Sequence, residues 1–278
     1  MDALHARTGR AAVTPESFLA DLPGWEDARL SELHGGLTNR VWKVTAGAKV
    51  GVLKIDDEAR DAPLISRCDE AYVQNLAAGA GLAANVIHAD RGVFLSEYVE
   101  GTVWTAKDLE NEANLRLLAK TLRQVHSLPL TGRTFDAKVA ARRYAAAAAG
   151  IDATTIALCA EVVNSMRRPL NLCCCHNDLV AENILSTPEL KLIDWEYATD
   201  NDPFFDLATV IEHHQLSDAH ACLLLDTYLG GDSLRWRSHL AGQRKLYLAL
   251  LCLWMASQSD VDETALADVS ARVATRCS

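Results

Sequence analysis

The positions of hydrophobic residues along the chain predict two regions of different secondary structure. Up to about residue 97, short apolar runs separated by glycine-containing turns are typical of β-strands. Thr14 can cap a leading helix, and Pro15 suits the first turn of that helix. We predict this helix at 14–30, a second helix at 64–79, and strands near Leu33 and at 41–44, 50–55, 83–88 and 92–97.

The segment Tyr98-Val99-Glu100-Gly101 interrupts the strand pattern, and we interpret it as a hinge. Strand-like motifs return at 173–195, but most of the remaining chain has helical spacing. Helices are predicted near 105–127, 136–149, 152–166, 204–215, 217–229, 233–257 and 262–275. A chain of 278 residues is long enough for two lobes. We therefore expect an α+β protein with a mostly β N-terminal lobe (1–97) and a mostly α C-terminal lobe (98–278).

Composition narrows the classes of function. Hydrophobic residues make up 49% of the chain, enough for a sizeable core, and the formal net charge is −10. This charge disfavours nucleic acid as a partner and is compatible with a cationic substrate. We expect no membrane span, because the longest apolar run, Leu246 to Ala256, is too short for a bilayer. The start of the chain lacks an apolar signal segment, and the scattered cysteines are most simply explained by a cytoplasmic protein with reduced thiols.

Eight cysteines are present, and three of them, Cys173, Cys174 and Cys175, are adjacent. Their spacing does not match that of zinc ligands. We interpret the three as small apolar residues packed before the following loop, with reduced thiols throughout the chain.

Two neighbouring motifs carry most of the candidate chemistry: His-Asn-Asp-Leu-Val-Ala-Glu-Asn-Ile-Leu at 176–185 and Leu-Ile-Asp-Trp-Glu-Tyr at 192–197. A turn at 187–189 would join two short strands between them. If these strands pair, Asn183 and Asp194 lie side by side, with Asp178 in the loop before them. Phosphoryl transfer from ATP needs one carboxylate to orient and deprotonate a hydroxyl, and an amide and a second carboxylate to hold Mg²⁺.

These motifs resemble the catalytic and metal-binding motifs of choline/ethanolamine kinases, a group related to aminoglycoside phosphotransferases and thiamine kinases. The resemblance implies a two-lobed, protein-kinase-like fold with a nucleotide-binding N-terminal lobe and a catalytic, substrate-binding C-terminal lobe. It implies Asp178 as catalytic base, Asn183 and Asp194 as Mg²⁺ ligands, and ATP as phosphoryl donor. His176 and Asp206 are expected to support the loop.

The N-terminal lobe carries the expected nucleotide contacts. Gly-Gly-Leu-Thr-Asn at 35–39 resembles the phosphate-contacting segment of this family. Lys54 resembles the lysine that binds phosphates, with Glu70 as its expected partner and Asp69 as the adjacent alternative. The segment from 97 to 101 resembles the adenine-contacting hinge. The predicted contacts are Gly35, Gly36, Thr38, Asn39, Lys54, Glu70, Glu97 and Tyr98.

The resemblance implies a small cationic alcohol as acceptor, a group that aromatic faces and nearby negative charge would bind. The predicted contacts are Trp195, Glu196, Tyr197 and Trp254, although core packing would explain Trp254 equally well. Choline or ethanolamine comes first, thiamine second and an aminoglycoside third. A catalytically silent nucleotide-binding module is the non-enzymatic alternative, and a kinase acting on peptides is weaker because Asn177 replaces the usual arginine. The oligomeric state is left open.

Overall fold

A computed structural model describes residues 13–33, 40–56, 66–90, 92–167, 169, 171–231 and 233–277. The chain forms two compact units. One comprises residues up to 75 together with 84–100, and the other comprises 76–83 together with 101–278. The first is rich in strands and the second in helices, so the predicted α+β class is confirmed.

The first unit is built on an antiparallel sheet with strand order β1-β2-β3-β5-β4. Apolar side chains on one face of the sheet pack with Leu19 and Trp25 to form its core. The elements are α1 (Pro15–Ala20), β1 (Arg29–Leu33), β2 (Arg40–Ala46), β3 (Lys49–Ile55), α2 (Arg67–Gly79), β4 (Val86–Asp90) and β5 (Val93–Glu97), with the end of α2 counted in the second unit.

The predicted leading helix at 14–30 is wrong in its length. Thr14 caps α1 through a reciprocal hydrogen-bond pair with Ser17, as its sequence suggests. The helix nevertheless ends at Ala20, because Pro23 cannot continue it and Gly24 adopts a positive φ of 81°. The chain then enters β1 at Arg29.

The second unit is mostly helical, with two small sheets. Its strands are β6 (Thr102–Val103), β7 (Cys173–Cys175), β8 (Ile184–Ser186), β9 (Lys191–Leu192) and β10 (Thr199–Asn201); they form the sheets β6-β8-β9 and β10-β7. Its helices are α3 (Glu112–Val125), α4 (Ala137–Ala147), α5 (Ala153–Ser165), α6 (Pro203–His213), α7 (Asp218–Leu229), α8 (Arg237–Ala256) and α9 (Glu263–Cys277).

Two predicted helices are shorter than their apolar patterns suggested. The segment 105–127 divides into a 3-10 turn, Ala106–Glu110, and α3, because the side chain of Asn111 caps a new helix. The segment 233–257 likewise begins with a 3-10 turn, Leu234–Trp236, before α8. Within the described ranges, no helix is both long and apolar enough to span a membrane.

Residues 76–83 join the second unit through the hairpin of β8 and β9. The N–H of Leu192 donates to the Leu82 carbonyl at 2.8 Å, and Lys191 Nζ donates to the Gly81 carbonyl. Gly101 passes close to the same hairpin, so a Cβ at that position would lie 2.7 Å from the Ser186 carbonyl oxygen. These contacts hold the hairpin that carries the candidate chemistry.

Candidate active site

The β8–β9 hairpin brings two predicted metal ligands to the same end. The strands are antiparallel, with Ile184 opposite Leu192. The N–H of Ile193 donates to the Asn183 carbonyl at 3.0 Å, so Asn183 and Asp194 lie at the open end of the ladder. The predicted hairpin is therefore confirmed.

Asp178 lies next to Asn183. The amide Nδ2 of Asn183 donates to the Asp178 carbonyl at 2.8 Å and to its carboxylate Oδ2 at 3.1 Å. These contacts orient the amide group of Asn183. Its oxygen Oδ1 is then the atom that can bind a hard cation, and Asp194 supplies a carboxylate of the type that Mg²⁺ prefers.

The loop concentrates negative charge around Asp178. Burial, with the charges of Asp194 and Glu196, raises the pKa of the Asp178 carboxyl to about 7, although the Asn183 hydrogen bond acts in the opposite direction. Such repulsion is relieved when a divalent cation binds between carboxylates. The residues present therefore fit Mg²⁺, and Asn183 and Asp194 are the side chains that would hold it.

Two non-glycine residues adopt left-handed backbone conformations at this site. Asn177 and Asp194 each have a φ of 64°. Asn177 is held there because its Nδ2 donates to the Tyr197 carbonyl at 2.9 Å and to Thr199 Oγ1 at 2.8 Å. Its Oδ1 also accepts from Asn201 Nδ2 at 2.8 Å. The motif 176–183 and the segment after Asp194 are thus tied to each other, which fixes the strained geometry.

Asp206 of α6 anchors the start of the loop. Its fully buried carboxylate accepts from the N–H groups of His176 at 2.9 Å and Asn177 at 2.7 Å, and from His126 Nε2 at 3.0 Å. Burial alone would raise the pKa of this carboxyl, but His126 and His176 hold it below the ordinary value. Asp206 can therefore fix the backbone just before Asp178 without touching a substrate.

Two histidines that the sequence analysis did not single out also hold this region. His126 follows α3 and orients Asp206. His214 follows α6, and its Nε2 accepts from the N–H of Ala181 at 3.1 Å. Burial lowers the pKa of His214 to about 4, which keeps it neutral and able to accept. No local motif marks either residue, because both reach the loop from distant helices.

His176 and Trp195 pack behind the loop. The ring of Trp195 is fully buried and donates from Nε1 to the Leu192 carbonyl at 3.1 Å. The His176 ring lies 4.8 Å from it and bonds through Nε2 to the Ile193 carbonyl at 3.0 Å. Trp195 was predicted as a substrate contact, but its ring is fully buried in this structure and has no exposed surface that a substrate could contact.

Three tyrosines and a buried acid lie near enough to the Asp178 carboxylate to interact with it electrostatically. Glu196 is 2% exposed. Burial raises the pKa of Tyr197, Tyr144 and Tyr247, and the charge of Asp178 acts on all three. Tyr144 comes from α4 and Tyr247 from α8. Tyr144 and Tyr247 thus join Glu196 and Tyr197 near Asp178, and the predicted contact of Glu196 and Tyr197 with an acceptor stays a prediction.

Trp254, the remaining predicted acceptor contact, lies on α8 and is half-buried. The Trp254 carbonyl accepts from Ser257 and Gln258 at the C-terminal end of the helix. These contacts involve the backbone only, so its role in binding stays a prediction.

In the first unit, Lys54 forms a buried ion pair. Its Nζ lies 2.6 Å from Glu70 Oε1, and Glu70 has no exposed surface. Arg67 Nη1 contacts the other oxygen of Glu70 at 2.5 Å and its Nε contacts Asp56 at 2.7 Å. Two cations therefore share one buried carboxylate, which holds Lys54 in place, and its contact with phosphate stays a prediction.

The predicted adenine hinge lies at the end of β5. Glu97 pairs with Asn85 through both backbone and side chain, and the N–H of Tyr98 donates to the Val50 carbonyl at 3.0 Å. Lys43 lies 3.9 Å above the Tyr98 ring. The predicted phosphate-contacting residues Gly35, Gly36, Thr38 and Asn39 lie outside the described residues.

Residues 29–242 match the family described as phosphotransferase enzyme family, APH. The chain belongs to this family. Among relatives, protein LicA of Haemophilus influenzae is 32% identical over 207 residues, which cover 70% of this chain and 61% of LicA. The chain thus spans about three fifths of that relative's length. A Salmonella heidelberg thiamine kinase is 45% identical over 64 residues, covering 21% of this chain and 23% of the relative.

Solved structures of family members share the fold. The choline kinase LicA of Streptococcus pneumoniae superposes with a TM-score of 0.76 at 22% identity, covering 90% of this chain and 92% of that chain. A choline/ethanolamine kinase family protein of Mesorhizobium loti gives 0.74 at 24% identity, covering 94% and 92%. The predicted protein-kinase-like fold and the predicted relationship to choline/ethanolamine kinases are confirmed.

Proposed function

We propose that this protein transfers the γ-phosphoryl group of ATP to the hydroxyl of a small cationic alcohol, with choline or ethanolamine as the first candidates. The observation that carries the proposal is the geometry of Asp178, Asn183 and Asp194. The three residues converge on one hairpin, and Asp206 and Asn177 brace the loop that leads into it. A kinase of this family needs these groups and little covalent chemistry of its own.

In the proposed mechanism, Asp178 accepts a hydrogen bond from the acceptor hydroxyl and takes its proton as the oxygen attacks phosphorus. Orienting the hydroxyl and taking its proton late in the transfer is sufficient for this role. Asn183 Oδ1 and the Asp194 carboxylate would hold Mg²⁺, which when bound offsets the charge of the phosphates. Lys54, oriented by Glu70, would bind the phosphates of ATP.

The acceptor would lie among Glu196, Tyr144, Tyr197 and Tyr247. A buried acid beside aromatic rings stabilises an ammonium group by charge and by cation–π attraction. Trp254 stays a candidate for the same pocket. In this proposal Trp195 supports the loop from behind, since it is buried and bonded to Leu192.

Thiamine kinase is the second candidate, because the 64-residue match to the Salmonella enzyme is 45% identical. An aminoglycoside phosphotransferase comes third. One solved neighbour of this kind is described in a complex with ADP and hygromycin B, and it shares the fold at 17% identity.

Acceptor-dependent ADP release tests the proposal. The purified chain, with ATP and Mg²⁺, should be screened against choline, ethanolamine, thiamine, aminoglycosides and small sugars. Turnover with any of these alcohols supports the kinase. Nucleotide binding with no acceptor-dependent turnover would instead indicate a catalytically silent module.

A neutral isostere tests whether the acceptor's charge is recognised. If choline is a substrate, 3,3-dimethylbutanol should have a kcat/KM lower by about 10-fold or more, roughly 1.4 kcal/mol of lost attraction. Glu196→Gln should shrink this ratio, whereas Glu189→Gln, an exposed acid of the hairpin turn, should leave it unchanged. Equal rates with the charged and neutral alcohols would contradict a cation pocket.

The base assignment is tested separately. Asp178→Ala should lower kcat by about 10²–10⁴-fold while ATP still binds, because the loop keeps its Asp206 contacts. Near-normal turnover in this variant would rule out Asp178 as the base.

A further inference from the structure

Cys173 and Cys175 lie on the same face of β7. Residues two apart on a strand point the same way, and the two Sγ atoms are 3.6 Å apart. Cys175 is fully buried and Cys173 is half-buried, so the pair is reached from one side. The strand thus presents two thiols as a unit.

His126 brings an imidazole to the same place. Its ligand nitrogen and the two Sγ atoms all lie within 4.8 Å of one another. The Nε2 atom of His126 bonds to Asp206 Oδ2 at 3.0 Å, and Nδ1 bonds to the Tyr228 hydroxyl at 2.8 Å. If Nε2 carries the proton for Asp206, the Nδ1 lone pair accepts from the Tyr228 hydroxyl, and an ion that binds Nδ1 has to replace that hydrogen bond. A carboxylate that holds the far nitrogen is the usual partner of a metal-binding histidine.

The spacing of the donor atoms fits a tetrahedral thiophilic ion. Two thiolates bound at about 2.3 Å around a tetrahedral Zn²⁺ lie about 3.8 Å apart. The observed Sγ–Sγ distance of 3.6 Å is already close to that value. In the same geometry, a histidine nitrogen bound to Zn²⁺ lies about 3.6 Å from each sulfur. The His126 nitrogen, which lies within 4.8 Å of both Sγ atoms, would therefore have to move about 1 Å closer at most to become the third ligand.

Charge also favours an ion over a bare thiolate pair. Two thiolates without a cation would place two uncompensated charges beside the buried Asp206. When a divalent ion binds, each thiol loses its proton to solvent and two metal–sulfur bonds form. The product, one M²⁺ with two thiolates and a neutral imidazole, has no net charge.

We propose that Cys173, Cys175 and His126 form a binding site for a thiophilic divalent cation such as Zn²⁺ or Cd²⁺. The fourth position is open to water or to the Tyr228 hydroxyl. The site is chemically separate from Asn183 and Asp194, whose oxygen atoms suit Mg²⁺. Because Asp206 contacts both His126 and the backbone of the catalytic loop, an ion here also fixes the partner of Asp206.

Co²⁺ and Zn²⁺ titrations of the reduced, chelator-treated full chain test the proposal. We expect one equivalent of Co²⁺ to give the thiolate charge-transfer absorption and the visible bands of a tetrahedral ion. Zn²⁺ should displace the Co²⁺, and excess Mg²⁺ should not. Zn²⁺ should also raise the Tm of the protein.

Cysteine variants locate the ion. Cys173→Ser should weaken binding by more than about 100-fold, beyond what loss of an outer partner costs. Cys175→Ala should do the same, and circular dichroism checks that both variants fold. Cys222→Ser on α7 and Cys68→Ser on α2 remove thiols elsewhere and should bind as the unaltered protein does.

Three results would overturn the site: an octahedral Co²⁺ spectrum, unchanged affinity in Cys173→Ser, or equal loss in Cys222→Ser. Failure to bind Zn²⁺ at micromolar concentrations would do so as well. None of these measurements depends on phosphotransfer, so they succeed or fail independently of the proposed kinase activity.

Discussion

Replacing Asp206 by asparagine is the sharpest test of how this loop is held. The carboxylate accepts three hydrogen bonds, from the N–H groups of His176 and Asn177 and from His126 Nε2. Asparagine has nearly the same shape but only one oxygen. If that oxygen keeps the bond to Asn177, the new amide N–H₂ group faces the His176 N–H, and two donors oppose each other.

The expected cost follows from this count. His126 can adapt by changing tautomer, because Nδ1–H can then donate to the Tyr228 hydroxyl. The His176 N–H cannot adapt, and an unpaired buried donor costs about 1–3 kcal/mol. The remaining hydrogen bonds also lose a charged acceptor, so we expect about 2–5 kcal/mol in total. This corresponds to roughly 5–15 °C in Tm.

Urea unfolding and Tm measure this loss, with Asp226→Asn on the exposed face of α7 as the control. The control should stay within about 0.5 kcal/mol of the unaltered protein. Under the proposed activity, kcat of Asp206→Asn should fall by about 100-fold, since a displaced loop misplaces Asp178. A variant with unchanged stability and unchanged kcat would refute the bracing role of Asp206.

The stability lost in Asp206→Asn should also depend on pH. His126 and His176 hold the pKa of Asp206 below its ordinary value despite its burial. A group with a lowered folded pKa contributes stability above its unfolded pKa, about 3.9, and loses it as the pH falls through the folded value. The stability difference between the unaltered protein and Asp206→Asn should therefore be constant above about pH 5 and shrink below about pH 4. A difference that grows in acid would contradict this reasoning.

Three further substitutions test other parts of the structure. Glu212→Gln removes a buried charge that pairs with Arg244 of α8 and with Arg272 and Arg276 of α9. The free energy of unfolding in urea should fall by about 3–5 kcal/mol, against about 0.5 kcal/mol for the control Glu161→Gln at an exposed site. Equal losses in the two variants would contradict the importance of these ion pairs. Gly101→Ala should destabilise the protein by about 1–3 kcal/mol, because the added Cβ would lie 2.7 Å from the Ser186 carbonyl oxygen of the hairpin. The control Gly79→Ala has open space around the added Cβ and should stabilise the protein slightly. If Gly101→Ala proved the more stable of the two variants, the close approach at Gly101 would be unimportant. Glu70→Gln should raise the KM for ATP by roughly 10-fold or more, because Lys54 loses a charged hydrogen bond that orients it. An unchanged KM would contradict the proposal that Lys54 binds the phosphates of ATP.

Much of the fold was predictable because its signals are local. The strands β2 and β3 follow period-two apolar runs around a glycine turn, and α7 is capped by Ser217 where the helical pattern begins. Predictions failed where a single residue overrides the pattern. Pro23 and Gly24 end α1 early, and Asn111 starts a new helix inside one apolar segment.

The candidate site divides in the same way. The hairpin of 184–192 was predictable, since its strands and turn are adjacent in sequence and place Asn183 beside Asp194. His126 and His214 were not, because each reaches its partner from a distant element. Neither the periodicity of apolar residues nor the spacing of motifs predicts a contact between side chains that are so far apart in the sequence.

The sequence by itself therefore determined the chemical groups of this site, two carboxylates and a carboxamide within seventeen residues. It also determined their local framework, because the two strands of the hairpin and its turn are consecutive in the chain. Only the tertiary structure decided which distant side chains fix those groups and which fall together without a motif, such as Cys173, Cys175 and His126. The physical reason is that backbone propensities act over a few residues, whereas the packing of helices sets the position of a side chain relative to one 80 residues away, as in His126 and Asp206.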